Sequence, residues 1–139
     1  MLLATHRLGL SHEAPLGIVF FLPNMTWIQP PGYVHQMINT TWAPNALQAS
    51  VNATQSVSAS AQLSADKARL VVRLTNSASA ILSVTLDFAT ATRTLALKTA
   101  NATVLWADSP LDANPPATPT AISPIKSQVR TACLSPEQG

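Results

Sequence analysis

Between residues 56 and 88 apolar and polar side chains alternate with a period of two, a pattern that a helix cannot bury. Val57, Ala59, Ala61 and Leu63 alternate with Ser56, Ser58, Ser60 and Gln62. After Ser64-Ala65-Asp66-Lys67, Leu70, Val72 and Leu74 alternate with Arg69, Val71 and Arg73; after Asn76-Ser77-Ala78-Ser79, Leu82, Val84, Leu86 and Phe88 alternate with Ser83, Thr85 and Asp87. Successive strand side chains point to opposite faces, so this stretch predicts antiparallel sheet with one face buried and one wet. Leu70, Val72, Leu74, Leu82, Val84 and Leu86 are expected in one buried layer. Arg69, Arg73, Ser83, Thr85 and Asp87 are expected outside it, because an unpaired charge is costly to bury.

Further strands are expected around 92–98 and 102–107. A Pro-rich loop, 108–120, separates them from a last strand near 121–129, where Pro124 argues for an edge or a bulge. A turn about every 8 to 12 residues suggests a sandwich. The tail, 130–139, is expected to be disordered.

The chain before residue 47 reads differently. Gly17-Ile18-Val19-Phe20-Phe21-Leu22 is continuously apolar, as in a strand covered on both faces, and such strands belong to parallel sheets. Pro23 ends it, a turn carries Trp27, and Pro30-Pro31 can open a helix because its first turn needs no N–H from them. Tyr33, Val34, Met37 and Ile38 would form the apolar face of that helix. A strand, a turn and a helix in this order look like the last βα unit of a barrel, and 139 residues are too few for a whole (β/α)8 barrel of about 200 to 250. The expected organisation is an unpatterned segment at 1–16, a barrel βα unit at 17–46, an all-β antiparallel sandwich at 47–129 and the tail at 130–139.

Only a tenth of the residues are charged, so hydroxyls must carry much of the solubility. The net charge of +2 comes from scattered basic residues without a basic run or helix face. No footprint for nucleic acid or anionic lipid results, and no apolar run approaches the roughly 18 residues of a membrane span. Four N-x-T sequons, at Asn24, Asn39, Asn52 and Asn101, favour a secretory route. His6 and Arg7 interrupt the apolar start, so a signal peptide for a secreted parent is expected upstream of Met1.

Little in the chain suggests catalysis. The six carboxylates are Glu13, Asp66, Asp87, Asp108, Asp112 and Glu137. Asp66 falls in a turn, Asp87 on a wet strand face, Glu13 in the unpatterned start and Glu137 in the tail. Asp108 and Asp112 share the Pro-rich loop, where Asp before Ser-Pro makes a turn. His6, His12 and His35 have no ligand spacing to any carboxylate, and the single Cys133 lacks a following His, so no metal or cofactor is expected. There is no phosphate-binding glycine loop and no G-x-S-x-G elbow. Trp27, Trp42, Trp106 and Tyr33 could stack on sugar rings, but Trp27 and Trp42 flank the helix and are better placed for an interface between units.

Four stretches in one order resemble the C-terminal part of family 51 α-L-arabinofuranosidases. They are Gly17-Ile18-Val19-Phe20-Phe21; Gln29-Pro30-Pro31-Gly32-Tyr33-Val34-His35-Gln36-Met37; Leu70-Val71-Val72-Arg73-Leu74-Thr75-Asn76; and Ala102-Thr103-Val104-Leu105 with the segment 108–129. The resemblance covers roughly 17–129. It implies a β-sandwich of jelly-roll type after the final barrel strand and helix, with a loop bearing an Asn and several prolines before a strand like Ile122-Ser123-Pro124-Ile125-Lys126-Ser127. Such enzymes remove terminal α-L-arabinofuranosyl residues from arabinose-containing polysaccharides with retention, using two glutamates on earlier barrel strands. A retaining pair stands about 5 to 5.5 Å apart, and neither glutamate has a counterpart here. The resemblance therefore implies a structural C-terminal piece, partnered by the missing barrel. Barrel active sites lie at the strand C-terminal ends, so Asn24, Trp27 and Gln29 are the candidates nearest substrate.

The rival is a stand-alone secreted β-sandwich that binds carbohydrate or protein. It accounts for the alternation, the sequons and the tryptophans, but not for the strand and Pro-Pro helix. A glycosylated Ser/Thr/Ala/Pro stalk is a third reading, against which the alternation from 56 to 88 argues.

Overall fold

A computed structural model describes residues 17–52, 56–78, 81, 83–87, 100–109 and 111–129. Mostly β, these residues form three small antiparallel sheets and one helix. The order is β1 (Val19–Leu22), β2 (Met25–Ile28), α1 (Pro30–Thr40), β3 (Asn45–Leu47), β4 (Val57–Leu63), β5 (Leu70–Asn76), β6 (Ala100–Val104) and β7 (Ile125–Val129). β1 pairs with β2, β3-β4-β5 form a meander, and β6 pairs with β7.

The apolar run at 17–22 does form a strand, but its pairing corrects the expectation. β1 turns at Pro23-Asn24 and runs back as β2, with Leu22 opposite Met25 and Val19 opposite Ile28. Pro23 presets a backbone angle suited to such a turn. Trp27 is consequently a strand residue, with its ring edge-on to Phe20 at 5.9 Å and 80°. β1 is not covered on both faces: Phe21 is 79% exposed, and Ile18, Val19 and Leu22 are also exposed. A continuous apolar run fixes extended backbone but not which strand takes its hydrogen bonds.

α1 begins as the double proline predicts. The N–H of Gln29 donates to the Ile18 carbonyl at 2.9 Å, Pro30 and Pro31 have no N–H, and Gly32 N–H donates to the Gln29 carbonyl at 2.8 Å. Every donor of the first turn is thereby accounted for without a side-chain cap. At the other end the Thr40 hydroxyl donates to the Gln36 carbonyl at 2.8 Å and that of Thr41 to the Met37 carbonyl at 2.7 Å. Met37 is buried with Leu105 in a core that Tyr33, Val34 and Ile122 flank, whereas Ile38 is exposed.

β4 and β5 form the hairpin that the alternation predicts, from Val57 opposite Asn76 to Leu63 opposite Leu70. Its turn is closed by Asp66, which accepts from the Ser64 hydroxyl and from Ala68 N–H, and Lys67 takes a left-handed φ of 58°. Which β5 face is covered differs from expectation. Val71, Arg73 and Leu74 are buried, Leu70 and Val72 only half-buried, and Arg69 exposed. Arg73 comes inside because the end of α1 supplies acceptors: its guanidinium donates to the Thr41 carbonyl at 3.1 Å, to the Thr41 hydroxyl at 3.2 Å and to Gln62 Oε1 at 2.6 Å. A cation there also meets the negative end of the helix dipole.

The third alternating stretch is not a strand over residues 83–87, where Val84 and Leu86 are exposed beside Ser83, Thr85 and Asp87. Period two yields a strand only where a neighbour accepts its hydrogen bonds, and no described strand pairs with it. The strand expected near 102–107 lies at Ala100–Val104, and the last begins directly after Pro124. The loop at 108–120 is as expected, with residue 110 outside the described set. Leu82, Phe88, the strand expected at 92–98 and the segments 1–16 and 130–139 lie outside the described residues.

Candidate functional site

The best-defined polar centre joins the start of α1 to the Pro-rich loop. Gln29 is fully buried and Asn114 is 1% exposed. Gln29 Nε2 donates to the Asn114 carbonyl at 2.7 Å while Asn114 N–H donates to Gln29 Oε1 at 2.9 Å. Trp27 Nε1 donates to the same carbonyl at 2.6 Å. The Asn114 amide reaches onward, Nδ2 to the carbonyls of Ile28 at 3.0 Å and Ile122 at 2.9 Å, and Oδ1 receives Ile122 N–H at 2.8 Å. Local sequence makes this possible. Because prolines complete the helix start, the Gln29 side chain need not cap it, and Pro115 disfavours helical backbone at Asn114.

Two of the three residues expected nearest substrate take part in this network. The polar atoms of Trp27 and Gln29 bond Asn114, and both residues are buried, so they position backbone here. Asn24 lies exposed in the β1–β2 turn. Asn114 was not singled out as a site residue from sequence; the signal for it is an Asn before two prolines, spaced from a second Pro-preceding amide, Gln29. Of the tryptophans, Trp27 is buried and bonded to the Asn114 loop, whereas Trp42, expected beside it at an interface, and Trp106 are 59% and 60% exposed.

The titratable groups are dispersed. Asp112 Oδ2 accepts from Ser109 N–H at 2.8 Å and its own N–H donates to the Ser109 carbonyl at 3.1 Å, a closed turn of the kind expected there. The hydrogen bonds from Ser64 and Ala68 hold the Asp66 carboxyl below its usual range, and desolvation pushes the Arg73 guanidinium down. His35 is exposed on α1, and among the described residues no three His, Cys, Asp or Glu side chains cluster as a metal site would require. His6, His12, Glu13, Cys133 and Glu137 lie outside the described residues. All four sequon asparagines, Asn24, Asn39, Asn52 and Asn101, are exposed.

A cleft of about 560 Å³ opens between the second half of α1 and the β6–β7 pair. Met37 and Pro124 supply apolar wall, while Gln36, Asn101, Thr103, Lys126 and Gln128 are among its polar lining. Among the described residues, no carboxylate or imidazole lines it. The volume and mixed lining fit a binding cleft. Compared with protein-family models, with curated proteins and with solved structures, the chain finds no match in any of the three.

Proposed function

We propose that this chain is the C-terminal part of an α-L-arabinofuranosidase-like glycoside hydrolase, with a jelly-roll β-sandwich that braces a catalytic (β/α)8 barrel. The barrel would supply both glutamates, and the whole enzyme, secreted, would cleave terminal α-L-arabinofuranosyl residues from arabinose-containing polysaccharides with retention. What carries the reading is the Gln29–Asn114 lock: it directly joins two of the four stretches on which the family resemblance rests, the Gln-Pro-Pro-Gly helix start and the Asn-bearing proline loop. The uncovered apolar residues Ile18, Val19, Phe21 and Leu22 support it further, since such a patch suits a covering domain. Sequencing the transcript upstream of Met1 tests the parentage. The expected result is an in-frame barrel with two strand-end glutamates; an in-frame stop just upstream overturns it.

A stand-alone sandwich that binds carbohydrate or protein is favoured by the exposure of Trp42 and Trp106, since exposed aromatic rings suit stacking on sugars. Retention of the isolated chain on immobilised polysaccharide, lost in Trp42→Ala or Trp106→Ala, would select this reading.

A further inference from the structure

The cleft between α1 and β6–β7 carries a recognition pattern that the bracing role does not need. Strand register sets Asn101 opposite Gln128 and Thr103 opposite Lys126. With alternation along each strand, these four share one face, and directly opposed side chains have Cβ atoms about 5 Å apart. Two amides, a hydroxyl and an ammonium thus form one compact polar rectangle. Gln36 of α1 faces the same opening, with Met37 and Pro124 as apolar surface.

The chemistry of this set is selective. Amides both donate and accept, which matches vicinal hydroxyls, and the ammonium is a point charge that prefers a carboxylate. The apolar wall suits the C–H face of a sugar ring. The end of α1, whose dipole would oppose an anion, is offset by Arg73, bonded to Thr41 on the cleft wall through neutral acceptors alone. We infer that this cleft binds a short saccharide bearing one carboxylate, a uronic-acid-containing glycan, with Lys126 on the carboxylate and Asn101 and Gln128 on ring hydroxyls. The inference stands independently of the bracing role. A glycan attached at Asn101 would fill the same opening, so the site belongs to chains unmodified at that sequon.

The test is calorimetric titration of the full, unglycosylated chain with trigalacturonate and with a neutral galactose trimer. Expected is binding of the acidic trimer, with the neutral trimer and the Lys126→Gln variant each weaker by about tenfold or more, the effect of losing one charge-assisted hydrogen bond. Gln128→Ala is expected to weaken it as well. Lys126 and Gln128 are exposed, so circular dichroism of both variants should match the parent. No binding of either trimer at millimolar concentration, equal binding of both, or binding indifferent to Lys126→Gln would overturn the inference.

Discussion

Gln29 and Asn114, 85 positions apart, exchange two hydrogen bonds in a site closed to solvent. A side-chain amide thereby satisfies the backbone of a distant loop as a neighbouring strand would. Removing one member leaves the other's groups buried and unpaired. Gln29→Ala should therefore destabilise the chain by about 2 to 4 kcal/mol and Asn114→Ala by a similar amount, with the double variant clearly less destabilised than the sum. Urea denaturation of the three variants checks this, and additive losses would count against a shared network.

Gly32 is required by space rather than by backbone angle. A Cβ there would come within 2.5 Å of the Ile18 carbonyl oxygen and 2.7 Å of Ile28 Cγ2. Ala normally improves a helix by roughly 1 kcal/mol over Gly. Here the backbone oxygen cannot move aside without disturbing the Gln29 N–H bond to the same carbonyl. Gly32→Ala should lower the thermal midpoint despite its better helix propensity; a raised midpoint would show that the hairpin gives way freely.

Arg73 acts through shape as well as charge. Its Nη atoms span Gln62 and Thr41 while Nε lies buried without a partner. Lys cannot make that fork, so Arg73→Lys should cost about 1 to 3 kcal/mol. Arg73→Met, which keeps volume and removes the desolvated charge, should cost less than Arg73→Ala. The order of midpoints in urea decides it.

The Asp66 turn should be pH-sensitive. Hydrogen bonds from Ser64 and Ala68 hold its carboxyl below the usual range, so its contribution is present above the unfolded value, near 4, and fades as pH falls through the lower folded value. Asp66→Asn should differ from the parent at pH 7 and converge with it in acid. A difference unchanged to pH 2 would assign the effect to side-chain shape.

Phe21, at 79% exposure, contributes little within the chain. Phe21→Lys should shift stability by no more than about 0.5 kcal/mol, yet reduce concentration-dependent association. Sedimentation of both proteins over a range of concentrations measures this.

The sequence by itself determined the local structure wherever the cause is local. Pro30-Pro31 opens α1, Asp66 closes a turn, and alternation from 57 to 76 makes β4 and β5 with their register, because dihedral restriction and side-chain period act within a few residues. Tertiary structure decided the rest. The apolar run at 17–22 became half of an antiparallel hairpin, and residues 83–87 joined none of the described strands despite the same alternation as β5. Arg73 was drawn inside because helix-end acceptors wait there, and Gln29, expected near substrate, turned inward to Asn114. Each of these outcomes depends on which distant group supplies a hydrogen-bond partner, and a polar atom's cost of burial is set by that partner rather than by its own residue type.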